Sequence, residues 1–173
     1  MTPNWSTVPL TAVHDWHRST VIPLLAVPDS AELSRLHTAA LHGDLGTAQD
    51  WVAALEPWLV EVYRRAYAAA EARATSYATA YGYLTSRGAP AAEAAAQAGQ
   101  YAEHYVAAHA ESFAGVNARV NAVAVAAAYA AGDAVAHAAS HPYARANAYL
   151  RAAGAEAGPR LADGLARSLT RAA

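Results

Sequence analysis

The chain has 173 residues, a formal charge of −2, and 12 basic residues that are all arginine. This length fits one domain with its own core, and the near-neutral charge offers no positive field for phosphate backbones, so we expect no nucleic-acid partner. Cysteine is absent, which excludes disulfides, a thiolate nucleophile and Cys-ligated zinc.

The N-terminal 25 residues lack the features of a signal peptide. No basic segment precedes an apolar run, and His14, Asp15, His17 and Arg18 interrupt the apolar residues. The longest uncharged stretch of the Ala-rich region, residues 120–132, is shorter than a membrane span requires. We therefore expect a cytoplasmic protein without a membrane span.

Aromatic residues divide the chain by type. All four tryptophans lie in the first third, whereas all ten tyrosines follow from Tyr63 onward. This division indicates a Trp- and Leu-rich part, residues 1–56, and an Ala- and Tyr-rich part, residues 57–173. No Pro-, Ser- or Gly-rich linker separates them, so we expect a single all-helical domain over residues 1–173.

The N-terminal part contains two clear helix patterns. The first spans residues 10–25 and is interrupted by Pro23, which lacks an amide donor and clashes with the preceding turn. The second begins at Asp29 or Ser30, where either side chain can cap a helix, and ends at Gly43.

A third helix begins at Asp44 or Thr47, and Pro57 within it marks a kink or a new first turn. Its apolar residues recur at helical spacing and can face one core. They are Trp51, Leu55, Trp58 and Val62.

A helical hairpin follows. From Pro57 to Ser86 only Gly82 interrupts the pattern, and the SRGAP segment at residues 86–90 carries both stop and start signals. The next helical pattern covers about 50 residues, too long for one straight helix in a compact domain, so we expect a bend at Gly115 or Gly132.

The C-terminal segment is predicted as two short helices. Pro142 ends the preceding helix, a helix covers residues 142–153, Gly154 breaks it, and Pro159 opens the last one. The predicted fold is an all-α bundle built on a long antiparallel helical hairpin, Ala-rich, with shorter N- and C-terminal helices.

A four-residue repeat starts at Glu93, with alanine usually following each repeated residue. Alanine favours helix formation and allows neighbouring helices to approach closely. The repeated residues rotate by about 40° around the helix axis at each step, so they cannot all lie in one flat interface. Selection and GC-rich repeat expansion both remain open as its origin. We expect self-association, or binding to another helical protein, through Tyr101, Tyr105, His109, Asn117, Asn121 and Tyr129.

Metal-ligand patterns are sparse. Asp133 and His137 share a helix face with His141, but Pro142 moves His141 out of register. A di-iron site needs Glu-x-x-His pairs, and the chain has none, although Glu103, His104, His109 and Glu111 cluster in sequence. We expect no cofactor and no metal, with Asp133 and His137 as the weak ligand candidates.

Histidines also occur in the N-terminal helices, at His14, His17, His37 and His42. One interpretation is partly buried imidazoles bonded to helix ends or carboxylates. The alternative is that the pairs meet across two helices and titrate near neutral pH, forming a pH-sensitive contact.

Catalytic signatures are missing: the chain has no nucleophile elbow, phosphate loop or dinucleotide fingerprint. The sequence favours a non-enzymatic helical interaction or scaffold protein. The alternative is a small helical metal- or cofactor-binding enzyme that uses His, Glu and Tyr side chains.

Four segments stand out beside the Ala/Tyr/Asn tract: DWHRSTVIPLLAV, LHTAALHGD, WVAALEPWLVEVYRRAYAAAEA and LADGLARSL. Together they resemble a group of Ala/Tyr-rich helical proteins of Streptomyces and related actinomycetes. The resemblance covers nearly the whole chain and implies an actinobacterial, cytoplasmic protein, without an established activity.

Overall fold

The computed structural model describes residues 4–173, which contain helices and no strand. The predicted all-α class is confirmed. A π-helical segment, His17–Val21, joins the first two α-helices, and 3₁₀ turns lie at Trp5–Thr7 and Ala155–Ala157. The α-helices are α1 (Leu10–Trp16), α2 (Ile22–Leu25), α3 (Ala31–Leu41), α4 (Ala48–Ala66), α5 (Ala69–Ser86), α6 (Ala91–Ala131), α7 (Ala134–Ala139), α8 (Pro142–Ala153) and α9 (Gly158–Ala172).

The chain divides into two compact units. Unit 1 combines residues 4–66 with 114–173, and unit 2 is Tyr67–Phe113. The boundaries of the units do not coincide with the change in composition at residue 57. Unit 1 contains residues from both compositional parts, and Tyr129 and Tyr149 are buried in it as deeply as Trp51.

The interruption near Pro23 takes the form of the π-helical segment directly upstream of α2. Proline cannot donate to the carbonyl four residues earlier, and a wider turn accommodates its ring. The Ser19 hydroxyl donates to the Asp15 carbonyl across this segment, at 2.6 Å.

The start of α4 follows local sequence signals. Thr47 Oγ1 accepts from the Asp50 amide, and Asp50 Oδ2 accepts from the Thr47 amide, each at 3.1 Å, which is a capping box. The helix continues through Pro57. Its predicted apolar stripe is confirmed as buried, with Trp58 3% exposed.

One helix boundary differs from the sequence pattern, and one of two expected bend positions is used. The predicted continuous helix from Pro57 to Ser86 breaks at Tyr67 and Ala68, between α4 and α5, without a local breaker residue. The Tyr67 ring instead packs on Phe113, 5.5 Å between centroids. Of the two expected bend positions, Gly115 lies inside α6, and Gly132 ends it with a φ of 63°.

The core of unit 1 forms where α4 packs against α8, and α1 packs against α3 and α9. The C-terminal helices match the prediction: α8 begins at Pro142, Gly154 breaks the chain, and Pro159 opens α9. None of the helices in residues 4–173 is long and apolar enough to cross a bilayer.

Candidate functional site

Four of the eight histidines lie in the interior of unit 1. Their exposed fractions are 2% for His14, 5% for His17, 0% for His37 and 2% for His137. We call these four residues the histidine cluster. They come from α1, the π-helical segment, α3 and α7, so elements distant in sequence converge at one point. The π-helical geometry at His17 is itself typical of functional sites.

The cluster is built from ring contacts. His14 Nδ1 lies 3.0 Å from His37 Nδ1, and the His17 ring stacks on His37 with centroids 4.9 Å apart. His137 stacks on Tyr129 at 5.6 Å, and Tyr129 packs on His14 at 4.6 Å. Trp51, from α4, contacts both His14 and His37.

Hydrogen bonds assign two tautomers. His17 Nδ1 lies 2.8 Å from the Val13 carbonyl, so it carries the proton, and Nε2 accepts from the Tyr149 hydroxyl at 3.3 Å. Arg145 Nη2 donates to His137 Nε2 at 3.4 Å, so the His137 proton is on Nδ1. That N–H is buried and has no hydrogen-bond acceptor.

The His14–His37 pair shares one proton between its two Nδ1 atoms, because one nitrogen must donate and the other accept. The donor ring therefore has a bare Nε2 and the acceptor ring has an Nε2–H. Both Nε2 atoms are buried without a hydrogen-bond partner. Buried unpaired polar groups cost about 1–3 kcal/mol each, which an apolar side chain would avoid.

A buried cation adjoins the cluster. Arg145 is 3% exposed, and its guanidinium donates to the Ser140 carbonyl, to Ser140 Oγ at 3.0 Å and to Asn121 Oδ1 at 3.5 Å. None of the ion pairs found within residues 4–173 joins Arg145 to a carboxylate. The nearby imidazoles therefore face an uncompensated positive charge.

The environment keeps these imidazoles neutral. Burial lowers the pKa of His14 to about 4 and, together with the charge of Arg145, the pKa values of His17 and His137 to about 3. Burial also lowers the pKa of His37 well below its ordinary value. Burial raises the pKa of Tyr129 to about 12 and raises that of Tyr149 further, so both phenols are protonated.

The alternative interpretation, in which the N-terminal histidines meet across two helices, describes His14, His17 and His37, whereas His42 is exposed. Their expected titration near neutral pH is wrong, because burial lowers the pKa values. The participation of His137, Arg145 and Tyr149 was missed, since no local pattern links α7 and α8 to the N-terminal helices.

The metal-ligand candidates have separate roles. Asp133 caps α7 by accepting from the amides of Val135 and Ala136, at 2.8 and 2.9 Å, while His137 lies in the histidine cluster. Within residues 4–173, no three His, Asp or Glu side chains are arranged to hold a metal ion.

A second candidate site is the surface of unit 2, which is an antiparallel hairpin of α5 and the first part of α6. Its interior side chains are small: Ser76, Ala94, Ala98, Ala102 and Val106. Tyr83 is 62% exposed and Tyr101 is 53% exposed. Both line a groove of about 480 Å³, which is completed by Thr79, Ala80, Leu84 and Gln97. We call it the tyrosine groove.

The six predicted contact residues have different environments. Tyr101 and Tyr105 are exposed and stack on each other at 5.9 Å, and His109 Nδ1 lies 3.1 Å from the Tyr67 hydroxyl. Asn117 and Asn121 are half-buried. The side-chain amide of Asn121 donates to the backbone carbonyl of Asn117 at 2.9 Å.

Tyr129 is 1% exposed and belongs to the core of unit 1, so it offers no surface to a partner. Ala118 and Ala122, also in the segment expected to self-associate, are fully buried. The close approach that their small side chains allow is therefore used inside the protein. Sequence reasoning missed Tyr83, although its position in a Tyr-rich helix was a usable signal.

Comparison with known proteins adds no assignment: no family model, curated protein or solved structure matches the chain.

Proposed function

We propose that the protein is a non-enzymatic helical interaction protein that self-associates through the tyrosine groove of unit 2. One observation carries this proposal: the hairpin fully buries no side chain larger than valine, while four of its tyrosines, Tyr77, Tyr83, Tyr101 and Tyr105, are exposed. Burial stabilises a fold in proportion to apolar area, so an interior of alanine and serine contributes little. Two helices joined by such a seam gain stability when further helices cover them.

The exposed area is of the right order for an interface. Tyr77, Tyr83, Tyr101 and Tyr105 are between 37% and 62% exposed. At about 150–250 Å² per aromatic side chain, they offer roughly 400 Å². A standard interface buries about 800 Å² per partner, and the exposed alanines of the same helices add further apolar surface.

The chemistry of the groove favours a second copy of the chain. The six residues that line it carry no charge, although the Arg87 guanidinium lies over the Tyr83 ring, 5.8 Å from its centroid. Pairing two such linings buries no ion from the lining residues themselves. A two-fold axis places the same tyrosines on both sides, and Tyr can bury its ring while its hydroxyl reaches a polar group. Two hairpins together form a four-helix arrangement.

The alternative of a small metal- or cofactor-binding enzyme has less support, because four of the eight histidines are buried in the core of unit 1 and no three His, Asp or Glu side chains of residues 4–173 are arranged to hold a metal ion. A cytoplasmic location and an actinobacterial source remain predictions from the sequence and belong to this proposal.

The test is sedimentation equilibrium of the wild type and of a Tyr83→Ala/Tyr101→Ala double variant. Alanine preserves helix propensity, so a change in mass reports the contact rather than loss of helix. We expect a wild-type dimer whose dissociation constant rises at least about tenfold in the double variant. The matched control is Tyr143→Ala, which removes a tyrosine of α8 that is 44% exposed, and it should leave the dimer intact.

A wild type that stays monomeric at high micromolar concentration would rule out self-association. A dimer that both variants form equally well would place the interface elsewhere on the molecule.

A further inference from the structure

We propose that the histidine cluster is a proton-operated switch in unit 1: the core packs only while all four imidazoles are neutral, and acid opens it. The inference concerns a part of the molecule separate from the tyrosine groove and does not depend on self-association.

The hydrogen bonds of His17 and His137 are arranged for neutral rings. A proton on His137 Nε2 would put an N–H against the Arg145 guanidinium, which is both a donor–donor contact and a contact between two cations. A proton on His17 Nε2 would reverse its hydrogen bond with Tyr149, so that the hydroxyl oxygen would accept and the phenolic proton would need a new acceptor. Each added proton therefore opposes a donor, displaces one from its acceptor, or places a charge where no anion compensates it.

In the His14–His37 pair an added proton has the bare Nε2 as its only free position. There it would create a buried imidazolium whose new N–H has no acceptor. The N–H···N bond between the Nδ1 atoms would persist, but the charged ring would pack against the aromatic rings of Trp51 and Tyr129. Burying an uncompensated charge is far more costly than burying a neutral ring.

Within residues 4–173, no group that hydrogen-bonds to the cluster or packs on its rings carries a negative charge. The hydrogen-bonding and ring partners that reach the cluster from the N-terminal 3₁₀ turn, α1, α4, α6 and α8 are Trp5, Trp16, Trp51, Tyr129, Arg145 and Tyr149. Arg145 is the one charged residue among them, and it is a cation. Asp15, beside His14 in sequence, accepts instead from Ser168 and Arg171 of α9, and Asp133 accepts from α7 amides.

The direction of the pH effect follows from linkage. Since burial holds the pKa values of His14, His17 and His137 at about 4, 3 and 3, the folded state rejects protons that the unfolded chain binds below pH 6.5. Stability is therefore complete above pH 6.5 and is lost as the pH falls toward 4. Each such histidine raises the unfolding equilibrium constant about tenfold per pH unit in this window.

Two measurements on the wild type test the proposal, and the second is repeated on two variants. The first is an NMR titration of the imidazole Cε1–H signals from pH 7.5 to 5.0. We expect the four cluster signals to stay at their neutral positions until the folded signals disappear.

The second measurement is urea unfolding followed by tryptophan fluorescence between pH 6.0 and 5.0. All four tryptophans belong to unit 1, so the signal reports that unit alone. We expect the histidines of the cluster to bind about three to four protons when the chain unfolds. The unfolding equilibrium constant should therefore rise about a thousandfold or more for each unit by which the pH falls. His37→Gln should lower this uptake by about one proton, and the exposed control His42→Gln should leave it unchanged.

Cluster signals that titrate above pH 5.5 in the folded protein would overturn the proposal. So would an uptake of one proton or fewer on unfolding of the wild type. The wild-type data decide the question even where His37→Gln does not fold.

Discussion

Asp15 connects the N-terminal and C-terminal helices of unit 1. Its Oδ2 accepts from Ser168 Oγ at 2.6 Å and from Arg171 Nε at 2.9 Å, and its Oδ1 lies 3.3 Å from Arg18 Nη2. Burial alone would raise the pKa of Asp15, but the hydrogen bonds from these three residues outweigh it and lower the pKa. The carboxylate is thus held in its charged form between α1 and α9.

Replacing this carboxylate should loosen α9. We expect Asp15→Ala to lower the free energy of unfolding by about 1.5–3 kcal/mol, the usual worth of a hydrogen bond to a charged group, as measured by denaturant unfolding at pH 7.5. Because the pKa of Asp15 is lowered, its contribution is present above pH 3.8 and is lost as the pH falls below that value.

The control is Glu32→Gln, which removes a carboxylate from an exposed ion pair with Arg35 and should leave the unfolding midpoint nearly unchanged. Equal effects of the two variants would contradict the role assigned to Asp15.

At the scale of elements, α9 and the π-helical segment touch at Gly164. A Cβ added there would lie 2.8 Å from Thr20 Cβ and still closer to other Thr20 atoms. The absence of a side chain at this position therefore sets how closely α9 approaches the segment that carries His17.

This contact predicts opposite outcomes for two glycine substitutions. Gly164→Ala should destabilise the protein by about 1–3 kcal/mol, because Thr20 and the backbone around it must shift. Gly115→Ala lies inside α6, where nothing is within 4 Å of the added methyl group, and should stabilise it by about 0.5–1 kcal/mol. Thermal unfolding of both variants measures the contrast, and a neutral Gly164→Ala would show that α9 adjusts freely.

At the scale of the whole molecule, the two units differ in what they bury. Unit 1 encloses Trp51, Tyr129, Tyr149 and the histidine cluster, whereas unit 2 encloses alanines, Ser76 and Val106. Local opening requires less free energy where less apolar area is buried.

Hydrogen exchange should therefore separate the units. At low protein concentration we expect the protection factors of the helical amides in residues 69–106 to be at least about tenfold lower than those of α4. Raising the concentration should increase protection in the hairpin, because association covers it. Protection in the hairpin equal to that of α4 at every concentration would contradict the small-core explanation.

Local chemistry accounts for the parts of the fold that were predicted. Helix identity follows from alanine content and apolar spacing, the start of α4 from Thr47 and Asp50, and the ends of α6 and α8 from Gly132 and Gly154. Each of these signals acts within about one helical turn, so one stretch of sequence contains all that is needed.

Long-range packing accounts for the rest. The break at Tyr67 has no local breaker residue, and the histidine cluster exists because α3, α7 and α8 bring His37, His137 and Arg145 to α1. Exposure of Tyr101 and burial of Tyr129 were equally unpredictable, since both occupy the same four-residue repeat. A helical repeat sets spacing along one helix, whereas burial depends on which other helices pack against each face.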